Sequence, residues 1–567
     1  KEDKRILRKD LLPYWKGKTA IDKIMNVLVE QGLAKMPKVK PNDLIESVRC
    51  MGLSNLHKLV KDAGILPLIK MSGKLPAYIA ANLNPAVGVL NFQGHVLYGH
   101  DKVIQQGFNG IKEKAKNQIR KLNPDNADDR KKIQFYEAVT ICCDASIAFT
   151  QRFAEKAILM AEKETDPTRK AELLTIAENC RWVPANPARN FYEAMQSFWF
   201  SKVILEIYHP MSTISMGRVD QYLYPFYEKD IKNGTITSDK AQELIEELYL
   251  KIQTCTLYLG PAVTPSYNLA GYQAFTIGGV DSEGKDVTNE LSYLFLDALV
   301  YIKPVINLCV RTHRNTPKEF LMKVGEAIAK GANFALYNDE IYIEALHKWG
   351  CSLEDARNYG IIGCVEQVSA GNTGGNTGAS LLNLVGVLDL TLNNGVGSPM
   401  YQLIGNNQGL ATGDTTKFTS FDEFMDAFKK QLKSCMKHLV ASVNVVDGVY
   451  SEIPTPYISA TIDDCMDNGT DIVNGGGHYD VTVVDIIGTA NVANSLAAIK
   501  KLVFEEKKLT MAELIKLIHT NFRGKENIRQ MIINRVPKYG NDDDYVDSIA
   551  REVMDFVCHE TQSYNNI

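Results

Sequence analysis

From about Ala270 the chain alternates short apolar or β-branched runs with segments of helical apolar spacing, and this alternation constrains the fold more than any other feature. Strands are predicted at Ala274–Gly279, Val305–Thr312 and Asn333–Tyr337. Helices are predicted at Thr288–Tyr301 with Thr288 as N-cap, at Pro317–Lys330, and at Asp339–Trp349. A further short helix should be capped by Ser352, with Glu354 and Asp355 in its first turn. Strands alternating with helices at these lengths pair in parallel and carry helices on their faces, so an α/β architecture is expected. The stretch before it differs. Phe108–Leu122, Phe135–Ala161 and Asn190–Ile207 have helical spacing, Pro124–Asp129 forms a break, and Ser238 is a candidate N-cap for a helix through Tyr249. The division predicted is a mainly helical region over residues 1–180 and a second region over 181–567, within one continuous domain.

Composition excludes several classes. Lys plus Arg number 63 and Asp plus Glu 67 in 567 residues, a net charge of −4, which argues against nucleic acid or an anionic membrane as partner. No apolar run approaches the roughly 18 residues that span a bilayer. The first ten residues are charged and carry no signal-peptide segment. Eleven cysteines occur without a C-x-x-C pair; zinc-ribbon and iron–sulfur spacings are absent, and no metal site is expected. Reduced thiols in a cytoplasm are the expectation.

The most informative segment runs from Tyr359 to Ser380, YGIIGCVEQVSAGNTGGNTGAS. An apolar strand is expected to end at Gly363 with Cys364 at its tip, followed by a glycine-rich loop and a helix from Leu381 to Asn393 capped by Ser380. Strand-end loops of α/β sheets carry active sites. In extended backbone Cys364 and Glu366, two residues apart, would face the same side. A phosphate loop is disfavoured because G-K-[ST] and G-x-G-x-x-G are missing. A protease-like nucleophile, a buried structural cysteine beside a surface loop, and a thiol that abstracts hydrogen while a carboxylate takes a proton all stay open on the residues alone. Asn474-Gly-Gly-Gly-His478 is a second glycine cluster, read equally as a loop near substrate or a tight turn.

Gly363-Cys-Val-Glu366 resembles the thiyl-radical loop of the glycyl radical enzymes, the pyruvate formate-lyase-like family, in the branch of glycerol and propanediol dehydratases. Leu12-Pro-Tyr-Trp-Lys-Gly-Lys-Thr19, Gly94-His95-Val96, Lys102-Val103, Gly107-Phe-Asn-Gly-Ile111 and Phe191-Tyr-Glu-Ala194 are similar to family segments. So are Gly217-Arg218 with Asp220-Gln-Tyr222, Ile277-Gly-Gly279, and Pro537-Lys-Tyr-Gly-Asn541. The resemblance implies an α/β barrel of ten strands in two parallel five-stranded halves, surrounded by helices, with a helical N-terminal part. It implies a lyase in which a thiyl radical on Cys364 abstracts hydrogen from a small polar substrate, Glu366 acts as base, and water, an amine or sulfite leaves.

By resemblance His95, Ser212 and Thr213 contact substrate, and Thr377 matches a threonine of the choline lyase pocket. Gly378 stands where diol dehydratases have an aspartate, which makes glycerol and 1,2-propanediol doubtful substrates. Asp485 lies near a second catalytic carboxylate of the arylacetate decarboxylases, and decarboxylation is the alternative reaction. Ser380 replaces the histidine of those enzymes.

No bound cofactor is implied. The radical resides on a glycine, typically within Arg-Val-x-Gly-Tyr, and is installed by a radical-SAM activating enzyme. That motif is not among residues 1–567, so the expectation is a fragment, or a chain completed by another segment or chain that carries the glycine. An inactive truncated paralogue serving as a scaffold is the remaining alternative. A homodimer in the cytoplasm of an anaerobic bacterium, with a microcompartment as a further location, completes the implied setting.

Overall fold

The computed structural model describes residues 86–89, 95–208, 214–254, 273–304, 306–397 and 409–565. The segment Leu12–Thr19 and the residues Ser212 and Thr213 lie outside them. Eleven strands occur in the order β1 (Val87–Val89), β2 (Val96–Leu97), β3 (Ile214–Ser215), β4 (Gly217–Arg218), β5 (Ala274–Gly278), β6 (Asn307–Thr312), β7 (Phe334–Asn338), β8 (Tyr359–Ile362), β9 (Glu366–Ser369), β10 (Thr373–Asn383) and β11 (Tyr479–Ile487). The chain divides into two compact units. One contains Val96–Gly371 and Tyr457–Gly469. The other contains Asn372–Pro456 and Thr470–Ile567, with residues 86–89 and His95.

The first unit begins with the helices His100–Ile119, Ala127–Lys163, Pro167–Trp182 and Phe191–Tyr208. Asn126 and Asp166 cap the second and third through bonds to backbone amides of their first turns, as the turn chemistry of these residues favours. The helix Ser238–Thr254 starts one residue earlier than the expected cap implied, because the Thr237 hydroxyl, not Ser238, accepts from the Lys240 amide at 3.2 Å.

The predicted strand–helix alternation is present. β4, β5, β6 and β7 form a parallel ladder in that order, with Ala274 opposite Asn307 and Leu308 opposite Phe334. β2 pairs in parallel with β3. Only Met216 separates β3 from β4, and its amide donates to Ala274 O at 2.7 Å. The helices Glu290–Ile302, Lys318–Ala329 and Asp339–Trp349 follow β5, β6 and β7. Asn289, not Thr288, caps the first of these, in a reciprocal capping box with Ser292. Asp339–Trp349 has the expected bounds, and Ser352 caps Leu353–Arg357 as expected.

In the second unit β10 lies between β1, antiparallel, and β11, parallel. Leu382, Leu384 and Val387 join Phe424, Phe428, Leu432, Leu496 and Val553 in a buried apolar core fed by the long helix Phe421–Tyr450. Here the sequence expectation is corrected. Thr373–Asn383 is a strand, Ser380 sits within it opposite Val89 and Val484, and the helix runs Leu384–Leu392 with Asn383 bonding the Val385 amide. Pairing on both edges overrides the low strand preference of a glycine-rich run. The cluster Asn474–His478 forms the turn into β11, where the His478 amide donates to Asn372 O at 2.8 Å. No helix among the described residues is long and apolar enough to cross a membrane.

Candidate active site

β8 and β9 form an antiparallel hairpin in which Ile362 stands opposite Glu366. The tip is Gly363-Cys364-Val365. Gly363 has φ +57°, a left-handed conformation that is costly for residues with a Cβ. The turn places the Cys364 side chain and Val365 outward, both exposed, while Glu366 is buried at 6% exposure. Cys364 and Glu366 are therefore not two side chains on one face of an extended strand. The chain reverses between them, and Glu366 Oε2 accepts from the amides of Cys364 and Val365, both at 2.9 Å. The carboxylate closes the turn that presents the thiol.

β8 joins its own unit largely through side chains of the parallel strands. Arg311 Nη1 donates to Tyr359 O at 2.8 Å, the Ile361 amide donates to Thr276 Oγ1 at 3.0 Å, and the Gly363 amide donates to Ser215 Oγ at 3.1 Å. Asn307 Nδ2 donates to Cys364 O at 2.7 Å and Gly363 O at 3.4 Å, and the Tyr337 hydroxyl lies 3.5 Å from Cys364 O. Arg311 near the end of β6 meets the start of β8, and Asn307 at the start of β6 meets the hairpin tip. β8 thus runs opposite to β6.

The far end of this suspension is charged. Arg311 is fully buried and bonds both oxygens of Asp339 at 2.9 Å. It also donates to Arg357 O at 2.9 Å and lies 3.8 Å from the centre of the Tyr359 ring. The Tyr359 hydroxyl donates to Asp339 Oδ1 at 2.7 Å. A buried guanidinium requires such paired, bidentate contacts to offset its desolvation. Nearby Arg218 donates to the carbonyls of Gly278 and Val280. Burial, reinforced by the charge of Arg311, lowers its pKa to about 9. Burial pushes the Cys309 thiol up to about 12, although the Tyr337 hydroxyl beside it acts in the opposite direction.

Thr377, Gly378 and Asp485 belong to the second unit with His95. The Thr377 hydroxyl donates to His95 O at 2.5 Å, so two of the expected substrate contacts meet. Gly378 lies in β10 where its register against β11 shifts between Asn376 and Ser380, and Asp485 stands opposite Leu381. Cys142 and Cys143 lie in the helix Ala127–Lys163. Among the described residues no cluster of three or more His, Cys, Asp or Glu side chains is placed to hold a metal. Sequence reasoning missed Ser215, Thr276, Asn307, Arg311 and Tyr337. The available signal was the polar series Asn307, Cys309, Arg311, which alternates through a strand otherwise read as apolar.

A parallel β/α layer that suspends a thiol-bearing hairpin defines an α/β scaffold built around that hairpin. A family profile described as "Pyruvate formate lyase-like" matches residues 87–567, and the chain belongs to this family, that of the glycyl radical enzymes. It is 36% identical over 563 residues to isethionate sulfite-lyase of Oleidesulfovibrio alaskensis, covering 97% of this chain and 63% of that protein. It is 32% identical over 569 residues to trans-4-hydroxy-L-proline dehydratase of Clostridioides difficile, covering 99% and 66%. The glycerol-bound structure of the B12-independent glycerol dehydratase of Clostridium butyricum matches with a TM-score of 0.80 and 38% identity, over 86% of this chain and 62% of that one. The chain thus spans less than two-thirds of the length of these relatives.

Proposed function

We propose that the full-length protein is a glycyl radical lyase that eliminates water, an amine or sulfite from a small polar substrate. The observation that carries this reading is the hairpin tip, with an exposed Cys364 thiol above a buried Glu366 carboxylate. A glycyl radical supplied from outside residues 1–567 and installed by a radical-SAM activating enzyme would convert the thiol to a thiyl.

Cys364 then takes a hydrogen atom from a substrate carbon, breaking C–H and forming S–H. Glu366 accepts the proton of the neighbouring hydroxyl as the leaving group departs with its bonding pair, and the product radical regains hydrogen from Cys364. Positioned proton transfer of this kind contributes about 10²–10⁴-fold. By the family resemblance His95, Ser212, Thr213, Thr377, Gly378 and Asp485 are the proposed substrate-binding residues. The parallel pair β2–β3 and the parallel ladder β4–β5–β6–β7 support the family's ten-stranded barrel as the architecture of the whole protein. The more similar relatives are named as sulfite-lyases and dehydratases, which supports elimination, while a relative at 30% identity is named indoleacetate decarboxylase.

Anaerobic activation of the full-length protein with its activase and S-adenosylmethionine tests the proposal. Isethionate, trans-4-hydroxy-L-proline, glycerol, choline and arylacetates serve as probes. The expected result is a glycyl doublet by EPR and elimination from at least one hydroxylated or quaternary-amine probe. Cys364→Ala should abolish turnover, and Glu366→Gln should lower it by about 10²-fold or more. Full turnover in either variant, or decarboxylation alone, would overturn the reading.

A further inference from the structure

We infer that Asn307 is the positioning residue for the Cys364 thiol, an inference that rests on the thiyl role proposed above. The tip has two kinds of backbone group to satisfy, because none of its three residues is in the β8–β9 ladder. The amides of Cys364 and Val365 turn to the hairpin's own Glu366, both at 2.9 Å, while that of Gly363 donates to Ser215 Oγ at 3.1 Å. The carbonyls of Gly363 and Cys364 turn to the parallel sheet. Asn307 reaches Cys364 O at 2.7 Å and Gly363 O at 3.4 Å through one amide nitrogen, and the Tyr337 hydroxyl stands farther off at 3.5 Å. A hydrogen bond weakens steeply with length, so Asn307 is the effective donor.

Peptide planes fixed on both sides of Cys364 set the direction of its Cα–Cβ bond, leaving a single side-chain torsion to place the sulfur. In the proposed reaction Glu366 takes up a proton, which weakens it as an acceptor for the tip amides. Asn307 does not titrate, and it holds the carbonyl side of the tip through that step. It touches backbone and not the reacting atoms, which makes its role one of alignment.

The probe is D₂O with the activated full-length enzyme. While the radical rests on the glycine, the Cys364 S–H exchanges to S–D with solvent. Transfer of that deuterium to the glycyl carbon forms C–D and leaves the thiyl, which takes the original hydrogen back from the same carbon, so the EPR doublet changes to its deuterated form at the rate of this reversible transfer. Asn307→Ala and the isosteric non-donor Asn307→Asp should each slow the conversion by at least about tenfold, the scale expected when reacting groups are misplaced by a fraction of an ångström. Total radical and melting temperature should match the wild type. A merely structural role would lower the radical content or the melting temperature and leave the conversion rate of the surviving radical unchanged.

Wild-type conversion rates in both variants overturn the inference. Cys364→Ser separates the two readings. Conversion that persists in it, or an activase that installs no radical in the wild type, defeats the thiyl assignment itself. Conversion lost in Cys364→Ser but unaltered in the Asn307 variants defeats only the positioning role.

Discussion

At Gly279 a side chain is forbidden by a neighbouring charge. Its φ is +86°, and a Cβ there would lie 2.5 Å from Nε of Arg311, so the absence of a side chain gives the guanidinium its place beside Asp339. This accounts physically for the Ile277-Gly-Gly279 motif, whose meaning the sequence alone did not show. His100 illustrates a second residue-scale effect. It is 1% exposed, and its Nδ1 lies 2.7 Å from Ser201 Oγ. Ser201 Oγ also lies 2.9 Å from Phe198 O. Burial, followed by the charge of Lys202, lowers the pKa of His100 to about 3. The unfolded chain binds a proton near pH 6.5 that the folded chain refuses. Stability from this site is therefore complete above pH 6.5 and falls by about 1.4 kcal/mol per pH unit down to about pH 3. In urea unfolding at pH 7 and pH 5, His100→Gln should lose about 2 kcal/mol less than the wild type between the two conditions. Equal losses would show that His100 is not the titrating group.

Among the elements, β8 bears the plainest mark of its surroundings. Thr276 supplies the acceptor for the Ile361 amide, and both are buried. Thr276→Val keeps the shape and strands that amide without an acceptor, so it should destabilise the protein by about 1–3 kcal/mol, with Thr276→Ser close to wild type. Chemical denaturation of both variants checks this, and equal stability of the valine variant with wild type would refute it. Elements with strong local signals were legible from sequence. Asp339–Trp349 has acidic residues at its start and His347 and Lys348 at its end, and its predicted bounds hold. β10 was not legible, because its identity comes from β1 and β11, which lie far from it in sequence. The spacing of Cys364 and Glu366 predicted side chains on one face, and the structure places one exposed and the other buried. The reversal between them was not legible, since it depends on a turn closed by the glutamate itself.

For the whole molecule, the parallel β/α architecture was legible because period and segment length repeat across it, whereas the partition of the chain into two units carries no composition break. Cysteine chemistry reports on that architecture. Among the described cysteines Cys364 and Cys558 are exposed, while Cys143, Cys180, Cys309, Cys351, Cys435 and Cys465 are buried. Burial pushes the thiols of Cys143, Cys180 and Cys309 up to about 12. Brief treatment with iodoacetamide at pH 8 followed by peptide mass mapping should label Cys364 and Cys558, and label the buried six only after denaturation, since the thiolate is the reacting form. Rapid native labelling of Cys309 would contradict the packing around β6. The turn at Cys364 has one more consequence. The amides of Cys364 and Val365 are closed by a residue of the same hairpin, while the carbonyls of Gly363 and Cys364 take their shorter bonds from one carboxamide of the surrounding sheet. The hairpin is in this sense a portable cassette: a scaffold that offers one carboxamide at the right strand start, and hydroxyl acceptors at two neighbouring strands, has most of what is required to receive it.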